Sequence, residues 1–480
     1  MTFAHLHVAS GFSLRHGTTT PEDLVARAAE LGQPALALTD RDGLYGAVRF
    51  VRAATAAGIA PVLGVDLAVD GGGRAPERRR TPVRGGAEVD PRHPRVTVLA
   101  RGAGAGVPHG VGWARLCRLV SEVHLTGERG EAVATAAMIA RHAAAPGADE
   151  PAPLLVLLGP TSDVGAALLA RRPDVARERL QAWQRVLPAG ALAIEVVDHG
   201  GPPGTPASTG HAAHLLGLAD ACGVPAVLTA AVRHLHPHDA TTADVLDATR
   251  RLVVLDARHL DRVTTAGHLA DDATMVEHAH RVASVLGGGA GGFACASPRQ
   301  RAAALLEATV RTAVECALDD RKDLGIGRVH LPEASVLGLP PDADPQAVLA
   351  QRCRAAIGAR YPDASPAVLR QVEERLADEL DVVEALGYPT YFLTVAEVVD
   401  LITGAGVRVA ARGSGAGSLI NHLLGISAID PIRHDLLMER FCSPLRAELP
   451  DIDIDVESAR RTEMYELILQ RFGRDRVTCV

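Results

Sequence analysis

Three aspartates alternate with apolar residues near the end of the chain, in a spacing suited to metal chemistry. They are Asp451, Asp453 and Asp455, separated by two isoleucines. In a β-strand successive side chains point to opposite faces, so the three carboxylates would share one face. Mg²⁺ binds one or two carboxylates together with substrate phosphates, and two such ions can activate a hydroxyl and stabilise a leaving pyrophosphate. The pattern predicts a Mg²⁺ site, with an exposed edge strand of solvated acids as the alternative.

A glycine-rich segment, residues 412–418, lies upstream of the aspartates. Arg412 begins it, glycine occupies every second position from Gly413 onward, and Ser414 and Ser418 supply hydroxyls. A β-prone run precedes the segment and an apolar helix start follows it. A strand, a glycine-rich turn and a helix N-terminus present backbone N–H groups to an anion, and arginine adds a forked, charged donor. The segment lacks a Walker A lysine, and we interpret it as a phosphate-binding loop, with an ordinary turn as the alternative.

Strand and helix patterns alternate through the first half of the chain and predict an α/β layer or barrel. From residue 239 onward the pattern becomes mainly helical. A Gly-, Pro- and Arg-rich stretch at 71–94 is typical of an exposed insertion loop, and the glycines at 287–292 indicate a hinge. We predict three parts, at residues 1–285, 286–387 and 388–480. The expected helices span 21–31, 44–57, 366–386 and 419–424, and the expected strands span 35–38, 61–69, 96–100, 154–158, 192–197, 226–229 and 406–410.

Composition limits the class of protein without identifying a function. The chain has 47% hydrophobic and 22% charged residues and a formal net charge of −8. An acidic total does not exclude nucleic acid, because binding depends on local basic surface. The seven cysteines form no C-x-x-C pair, which disfavours a disulfide framework or zinc ribbon. With no signal-peptide pattern and no long apolar run, we expect a cytoplasmic protein that does not enter the membrane.

The motifs of the C-terminal part occur in a specific order. Residues 412–418, 425–426, 430–432, 436–441 and 450–455 resemble consecutive motifs of the bacterial DNA polymerase III alpha subunit, the family C or DnaE-type polymerases. Residues 451–458 look closest to the error-prone branch. The resemblance implies that Asp451 and Asp453 are two of three catalytic aspartates that bind Mg²⁺. It also implies that Arg412, Gly413 and Ser414 hold the incoming triphosphate, and that Asp455 supports the strand.

That family implies DNA-directed DNA polymerase activity, in replication or in error-prone translesion repair synthesis. Its substrates are primer–template DNA and dNTPs, and its partners include the sliding clamp and other replication or translesion proteins. In the family the third aspartate lies well downstream, beyond residue 480. We therefore expect this chain to correspond to the N-terminal portion of such a polymerase and to be inactive alone. Primer extension by the purified chain would contradict this expectation.

Residues 3–14 and 37–46 resemble the start of a PHP domain (polymerase and histidinol phosphatase). This resemblance implies a distorted (β/α)7 barrel, followed by a helical connector and the beginning of a mixed α+β polymerase palm. Independently, His5 and His7 would lie on one face of a strand, which makes them a candidate metal pair. A structural or solvated role is the alternative for histidines near a chain start.

The PHP metal-ligand pattern is only partly present. Four positions where the family has ligands carry residues that cannot bind a cation: Ala9, Arg41, Arg95 and Val232. The remaining candidate ligands are His7, His16, Asp66, His199 and His234. We therefore expect this domain to be a structural scaffold without proofreading nuclease activity, and we do not expect it to bind Zn²⁺ or Mn²⁺ tightly. The alternatives are a PHP-type metal-dependent phosphoesterase or 3′–5′ exonuclease, and a non-catalytic assembly module.

Overall fold

The computed structural model describes residues 2–71, 93–127, 132–145, 147, 150–256, 260–287, 297–445, 449–473 and 476–477. It divides into two compact units, Met1–Gly327 and Arg328–Val480. Most of the predicted insertion loop at 71–94 and of the predicted hinge at 287–292 lies outside the described residues.

The first unit is built around a curled, mixed seven-stranded sheet. Its strand order is β1-β2-β3-β5-β6-β7, with β4 paired to β2. Strand β3 runs antiparallel to both of its neighbours, and the other pairs are parallel. The strands are β1 (Ala35–Arg41), β2 (Ala60–Val69), β3 (Arg95–Ala100), β4 (Val133–Ala134), β5 (Leu154–Leu158), β6 (Leu192–Val197) and β7 (Ala226–Thr229).

The N-terminal segment closes this sheet into a distorted barrel. His5 forms a bridge with Leu36 of β1, and Val8 forms a bridge with Val232, just after β7. The backbone N–H of Ala9 donates to the carbonyl of Val232 at 2.8 Å, which continues the connection. A barrel has no free sheet edge, and the α/β barrel expected from the sequence is confirmed in this form.

Alternate residues of the strands face two different cores. In β5, Leu154, Val156 and Leu158 belong to the large cluster under the helices. The intervening residues Leu155 and Leu157 belong to a smaller cluster inside the barrel. Five consecutive buried apolar residues are typical of a strand covered on both faces.

Helices cover the sheet of the first unit. Helix α1 begins where the sequence predicted, because the Thr20 side chain caps the N–H of Asp23 and Pro21 occupies the first turn. These helices are α1 (Pro21–Glu30), α2 (Ala47–Ala56), α3 (Val111–Thr126), α4 (Ala136–Ala143), α5 (Asp163–Leu169), α6 (Pro173–Val186), α7 (Thr209–Cys222), α8 (Ala240–Arg251), α9 (Asp272–Gly287) and α10 (Pro298–Cys316).

The first unit extends past the boundary that we placed at residue 285. Helix α10 packs against β7 and α9, and Ala313 and Cys316 of α10 enter the apolar cluster inside the barrel. Leu318 then donates its N–H to the carbonyl of Pro61 at 2.9 Å, where β2 begins. Helix α10 therefore belongs to the first unit, which ends at residue 327.

The second unit is mainly helical with one small sheet. Helix α12 has the bounds that the sequence predicted, capped by Ser365 at its start and by Gly387, at φ 72°, at its end. Among the described residues no single helix is long and apolar enough to span a membrane. Helices α12 (Pro366–Leu386) and α13 (Pro389–Gly404) reach the necessary length and apolar character only when taken together, and the chain bends by 113° between them. The elements are α11 (Pro345–Arg360), α12 (Pro366–Leu386), α13 (Pro389–Gly404), β8 (Val409–Arg412), α14 (Leu419–Leu423), β9 (Asp453–Val456) and α15 (Arg461–Phe472).

Candidate functional site

The strand pair β8–β9 brings the predicted phosphate and metal residues together. In its antiparallel register Arg412 lies opposite Asp453, and Ala410 lies opposite Asp455. The side chains of Asp451, Asp453 and Asp455 are exposed, whereas the residues between them are half-buried. Asp453 and Asp455 therefore share one face of β9, as the sequence predicted, whereas Asp451 is exposed just before the strand begins.

Arg412 lies over this acidic face. Its Nε is 3.5 Å from Asp455 Oδ1 and 3.9 Å from Asp453 Oδ2. The three side chains are 59–66% exposed, so water screens their attraction and leaves the guanidinium able to move to another anion. Exposed carboxylate oxygens at alternate positions are donors that suit Mg²⁺, and the residues present fit such an ion.

The glycine-rich loop turns directly beside Asp453. Residues Gly413–Gly417 form a 3₁₀ turn, and Gly413 has a φ of 72°, which disfavours any residue with a Cβ. A Cβ placed there would lie 3.9 Å from Asp453 Oδ2. Arg412, Gly413 and the exposed Ser414 thus lie at the same surface as the carboxylates.

The helix N-terminus that follows the loop is not available to an external anion, and this part of our prediction is wrong. The carboxylate of Glu379, which is 1% exposed, accepts the N–H groups of Leu419 (3.0 Å) and Ile420 (3.2 Å). The Ser418 hydroxyl also donates to Glu379, at 3.0 Å. The chain therefore supplies its own anion for the partial positive charge of α14.

Tyr391 holds the segment that carries Asp451. Its hydroxyl donates to the carbonyl of Pro450 at 2.7 Å and accepts the N–H of Ile452 at 3.2 Å. Burial, with the nearby charges of Asp451 and Asp453, raises the pKa of Tyr391. The hydroxyl therefore stays protonated and keeps its donor role.

In the barrel, polar side chains gather around Glu195 of β6. His7 Nδ1 is 2.7 Å from Glu195 Oε1, and Thr229 donates to the same oxygen at 2.6 Å. Thr97 is 3.2 Å from His7 Nδ1. Gly159 leaves room for this carboxylate, because a Cβ there would lie 2.2 Å from Glu195 Oε2 and would force the carboxylate to shift.

Asp66, a candidate metal ligand, is instead held by two arginines. Its Oδ2 accepts from Arg41 Nε at 3.2 Å and from Arg95 Nε at 3.0 Å. Arg95 also donates to Asp42 at 2.8 Å. Burial would raise the pKa of Asp66, but the charges of Arg95 and Arg41 outweigh it and lower that pKa. The two guanidinium groups lie where a cation would have to approach the Asp66 carboxylate.

The other candidate ligands have separate partners. His199 Nε2 is 2.8 Å from the carbonyl of Ala230, and His234 Nδ1 is 2.8 Å from the carbonyl of His236. His5, predicted to pair with His7, is fully buried, and its Nε2 lies 3.0 Å from the carbonyl of Ala270. Because the chain bends at residue 6, the prediction that His5 and His7 form a metal pair is wrong.

Within the described residues, one set of three potential metal ligands has its ligand atoms within 4.8 Å of one another: His16, Asp247 and Asp261. Arg233 binds Asp247 at 2.7 Å, and Arg251 contacts Asp261. These carboxylates are already neutralised by arginine. Arginine side chains therefore already balance the carboxylates of Asp66, Asp247 and Asp261 among the described barrel residues.

Sequence reasoning missed two buried glutamates that organise these sites. Glu195 is the single charged residue in the strand Leu192–Val197, and that contrast was a usable signal. Glu379 lies among Val372, Leu376 and Val383 on the buried face of α12, at helical spacing. A charged residue on an apolar face needs a buried partner.

The pKa of His7, which pairs with Glu195, is expected to lie above the ordinary histidine value of 6.5. Burial lowers the pKa of His7, but the charge and hydrogen bond of Glu195 and the charge of Asp66 outweigh it and raise that pKa. The stabilisation from protonated His7 is complete below pH 6.5 and is lost as pH rises through the raised pKa. We expect the His7 NMR resonances to titrate above pH 6.5 and to move to a lower pKa in Glu195→Gln. An identical His7 titration in that variant would contradict the assignment.

Two family models match the chain. The PHP domain matches residues 5–199, and the bacterial DNA polymerase III alpha NTPase domain matches residues 347–480. Among solved structures, an amidohydrolase from Chromobacterium violaceum is 17% identical with a TM-score of 0.28, covering 48% of this chain and 88% of its own. A Bifidobacterium adolescentis protein described as a metal-dependent phosphoesterase is 16% identical with a TM-score of 0.27, covering 58% of this chain and 96% of its own.

Curated relatives match along the whole chain. An error-prone DNA polymerase from Nocardia farcinica is 32% identical over 98% of this chain, and one from Symbiobacterium thermophilum is 31% identical over 100%. The DNA polymerase III subunit alpha of Mycobacterium tuberculosis is 29% identical over 100%. The chain spans 37–40% of the length of these relatives. With both domains in this order and such identity throughout, the chain is homologous to the N-terminal part of bacterial error-prone DNA polymerases and DNA polymerase III alpha subunits.

Proposed function

We propose that this chain takes part in template-directed DNA synthesis, and that residues 388–480 form the start of the polymerase palm. The observation that carries the proposal is the β8–β9 register, which sets Arg412 opposite Asp453 with Gly413 beside them. A charged, forked donor next to exposed carboxylates suits a ligand that combines a triphosphate with Mg²⁺.

In this proposal Asp451 and Asp453 hold Mg²⁺, and Asp455 supports the strand. Mg²⁺, when bound, would stabilise the charge of the phosphates during nucleotidyl transfer. Arg412 leaves its weak contacts with Asp453 and Asp455 and binds the triphosphate. Gly413 keeps the backbone close to the phosphates, and Ser414 donates its hydroxyl. Tyr391 keeps the Asp451 segment in place.

Nucleotide binding by the 480-residue chain tests this proposal. We expect dATP to bind in isothermal titration calorimetry only when Mg²⁺ is present. Arg412→Gln is expected to weaken binding at least about tenfold, because a hydrogen bond to a charged group is lost. Asp453→Asn is expected to abolish the Mg²⁺-dependent binding of dATP, because a ligand of the ion is lost.

Arg352 and Asp400 provide matched controls. They form a surface ion pair in the same unit, outside the β8–β9 pair. Arg352→Gln and Asp400→Asn make the same chemical changes and should leave dATP affinity unaltered. Equal dATP affinity in Arg412→Gln, Asp453→Asn and the unmodified chain would refute the proposed site.

The proposed partners follow from the proposed activity. They are primer–template DNA, dNTPs, the sliding clamp and other replication or translesion proteins. The five described cysteines, Cys117, Cys222, Cys316, Cys353 and Cys442, are free thiols, in keeping with a reducing cytoplasm as the place of action.

A further inference from the structure

We propose that Asn421 positions the glycine-rich loop for a triphosphate, through a hydrogen bond from its side chain to the loop backbone. The inference rests on the nucleotide site proposed above and adds a positioning residue behind that site. Asn421 is the single asparagine among the 480 residues. It lies in α14, soon after the loop, and its side chain is fully buried.

The glycine-rich loop has an exposed half and a buried half. Arg412, Gly413 and Ser414 are exposed to solvent, whereas Gly415 and Gly417 are buried. The exposed residues are those proposed to meet the triphosphate. The buried glycines are the points at which the rest of the second unit holds the loop.

Side chains outside the loop bind the carbonyl groups of both buried glycines. Asn421 donates from Nδ2 to the carbonyl of Gly415 at 3.0 Å. Arg375 donates from Nη2 to the carbonyl of Gly417 at 3.3 Å. Both carbonyls are therefore turned towards the protein. A carbonyl oxygen carries partial negative charge and would repel a phosphate, so this inward direction favours an anion on the outer side of the loop.

The two ends of this buried half are held in different ways. Close backbone packing holds Gly417, because a Cβ there would lie 2.7 Å from the carbonyl of Leu437. At Gly415 a Cβ would make only an ordinary contact, 3.4 Å from Asn421 Nδ2. The Gly415 carbonyl accepts a backbone N–H within the turn, from Ser418 at 3.3 Å. The bond from Asn421 is therefore the contact that ties this end of the loop to α14.

The side chain of Asn421 leaves its other polar atom unsatisfied. Its Oδ1 is buried and has no hydrogen-bond partner within the described residues. A buried acceptor without a partner is unfavourable, and an apolar side chain would avoid that cost. The Gly415 carbonyl can only accept, so it fixes Nδ2 as the amide atom that faces the loop. The contribution of Asn421 therefore lies in what Nδ2 holds.

Holding Gly415 in place matters because the loop is rich in glycine. Three of the five residues at 413–417 are glycines, which allow many backbone conformations. Restricting these conformations costs entropy, and the cost weakens ligand binding unless the loop is ordered beforehand. A bond that orders Gly415 in the ligand-free chain therefore strengthens triphosphate binding without contacting the ligand.

Calorimetry and thermal unfolding of the 480-residue chain test the inference, with dATP and Mg²⁺ as the probe. We expect Asn421→Leu, which has no donor, to weaken dATP binding about fivefold. The variant also removes the unsatisfied Oδ1, so its melting temperature should fall no further than that of the control. A side chain that only stabilised the fold would change the melting temperature and leave the affinity of the folded chain unaltered.

The matched control is Gln346→Met in the same unit. Gln346 donates from Nε2 to the carbonyl of Leu380 at 2.9 Å, and its buried Oε1 has no partner in the described part of the chain. The control thus removes the same two groups from a side chain amide without removing a bond to the loop. It should leave the affinity for dATP unchanged.

A second variant, Asn421→Asp, keeps the shape of the side chain, but its ionised carboxylate cannot donate to Gly415. It should also weaken dATP binding, and it replaces Asn421→Leu if that variant does not fold. Equal dATP affinity in the unmodified chain and the folded Asn421 variants would overturn the inference, as would equal losses in Asn421→Leu and Gln346→Met. Weaker binding by Arg412→Gln in the same series would show that the nucleotide site itself remains. Absence of dATP binding by the unmodified chain would refute that site and the inference with it.

Discussion

Replacing Glu379 with glutamine is expected to lower the free energy of unfolding of the second unit by about 3 kcal/mol. The Glu379 carboxylate is buried and accepts hydrogen bonds from Arg375, Ser418, Leu419 and Ile420. Glutamine would turn an amide NH₂ towards two of these donors and would remove the charge that faces the start of α14.

Hydrogen exchange followed by mass spectrometry provides the measurement for Glu379→Gln. Peptides that cover residues 413–424 should exchange faster, since the first turn of α14 loses its acceptor. Glu374→Gln is the matched control, because Glu374 lies exposed on the same helix. Similar exchange rates in the two variants would show that Glu379 does not hold the loop.

Replacing Asp66 with asparagine is expected to destabilise the first unit at neutral pH by about 3 to 5 kcal/mol. The variant leaves the mostly buried side chains of Arg41 and Arg95 without the carboxylate that they share. Urea unfolding followed by tryptophan fluorescence reports on this unit, because the two tryptophans of the chain, Trp113 and Trp183, lie within it.

The destabilisation caused by Asp66→Asn should become smaller as the pH falls. The folded pKa of Asp66 is lowered from its ordinary value of 3.8. Its contribution is therefore complete above about pH 4 and is lost as pH falls through the folded pKa. The difference in unfolding free energy between the two proteins should shrink in that acidic window.

Asp174→Asn is the matched control for Asp66. Asp174 also pairs with an arginine, Arg172, but both side chains are at least 60% exposed. Surface pairs are screened by water and contribute little. If the urea midpoint of Asp66→Asn at pH 7 were unchanged, the Asp66 carboxylate would not stabilise the first unit through Arg41 and Arg95.

Glu379 and Asp66 belong to two buried clusters that have one feature in common. In each unit, a charge of the chain occupies a position where the sequence suggested an external ion: Glu379 at the start of α14, and Arg41 with Arg95 at Asp66. The consequences differ. Glu379 opposes a second anion at the start of α14, whereas Arg41 and Arg95 oppose a cation at Asp66.

Several elements were predictable because their determinants are close together in the sequence. The bounds predicted for β5, β6, β7 and α12 agree with the structure. Apolar runs define the strands, and Ser365 with Gly387 defines α12. The direction of β3 was not predictable, since an apolar run is compatible with either orientation in a sheet.

The sequence by itself determined the local geometry of the candidate sites. Alternation along a strand is enough to put Asp451, Asp453 and Asp455 on one face, and a glycine is enough to mark the turn at Gly413. Only the tertiary structure decided which charges meet. Glu195 and His7 are 188 positions apart, and Glu379 and Leu419 are 40 positions apart. A buried polar group must find a partner, but the identity of that partner depends on how distant segments pack, and no local pattern encodes it.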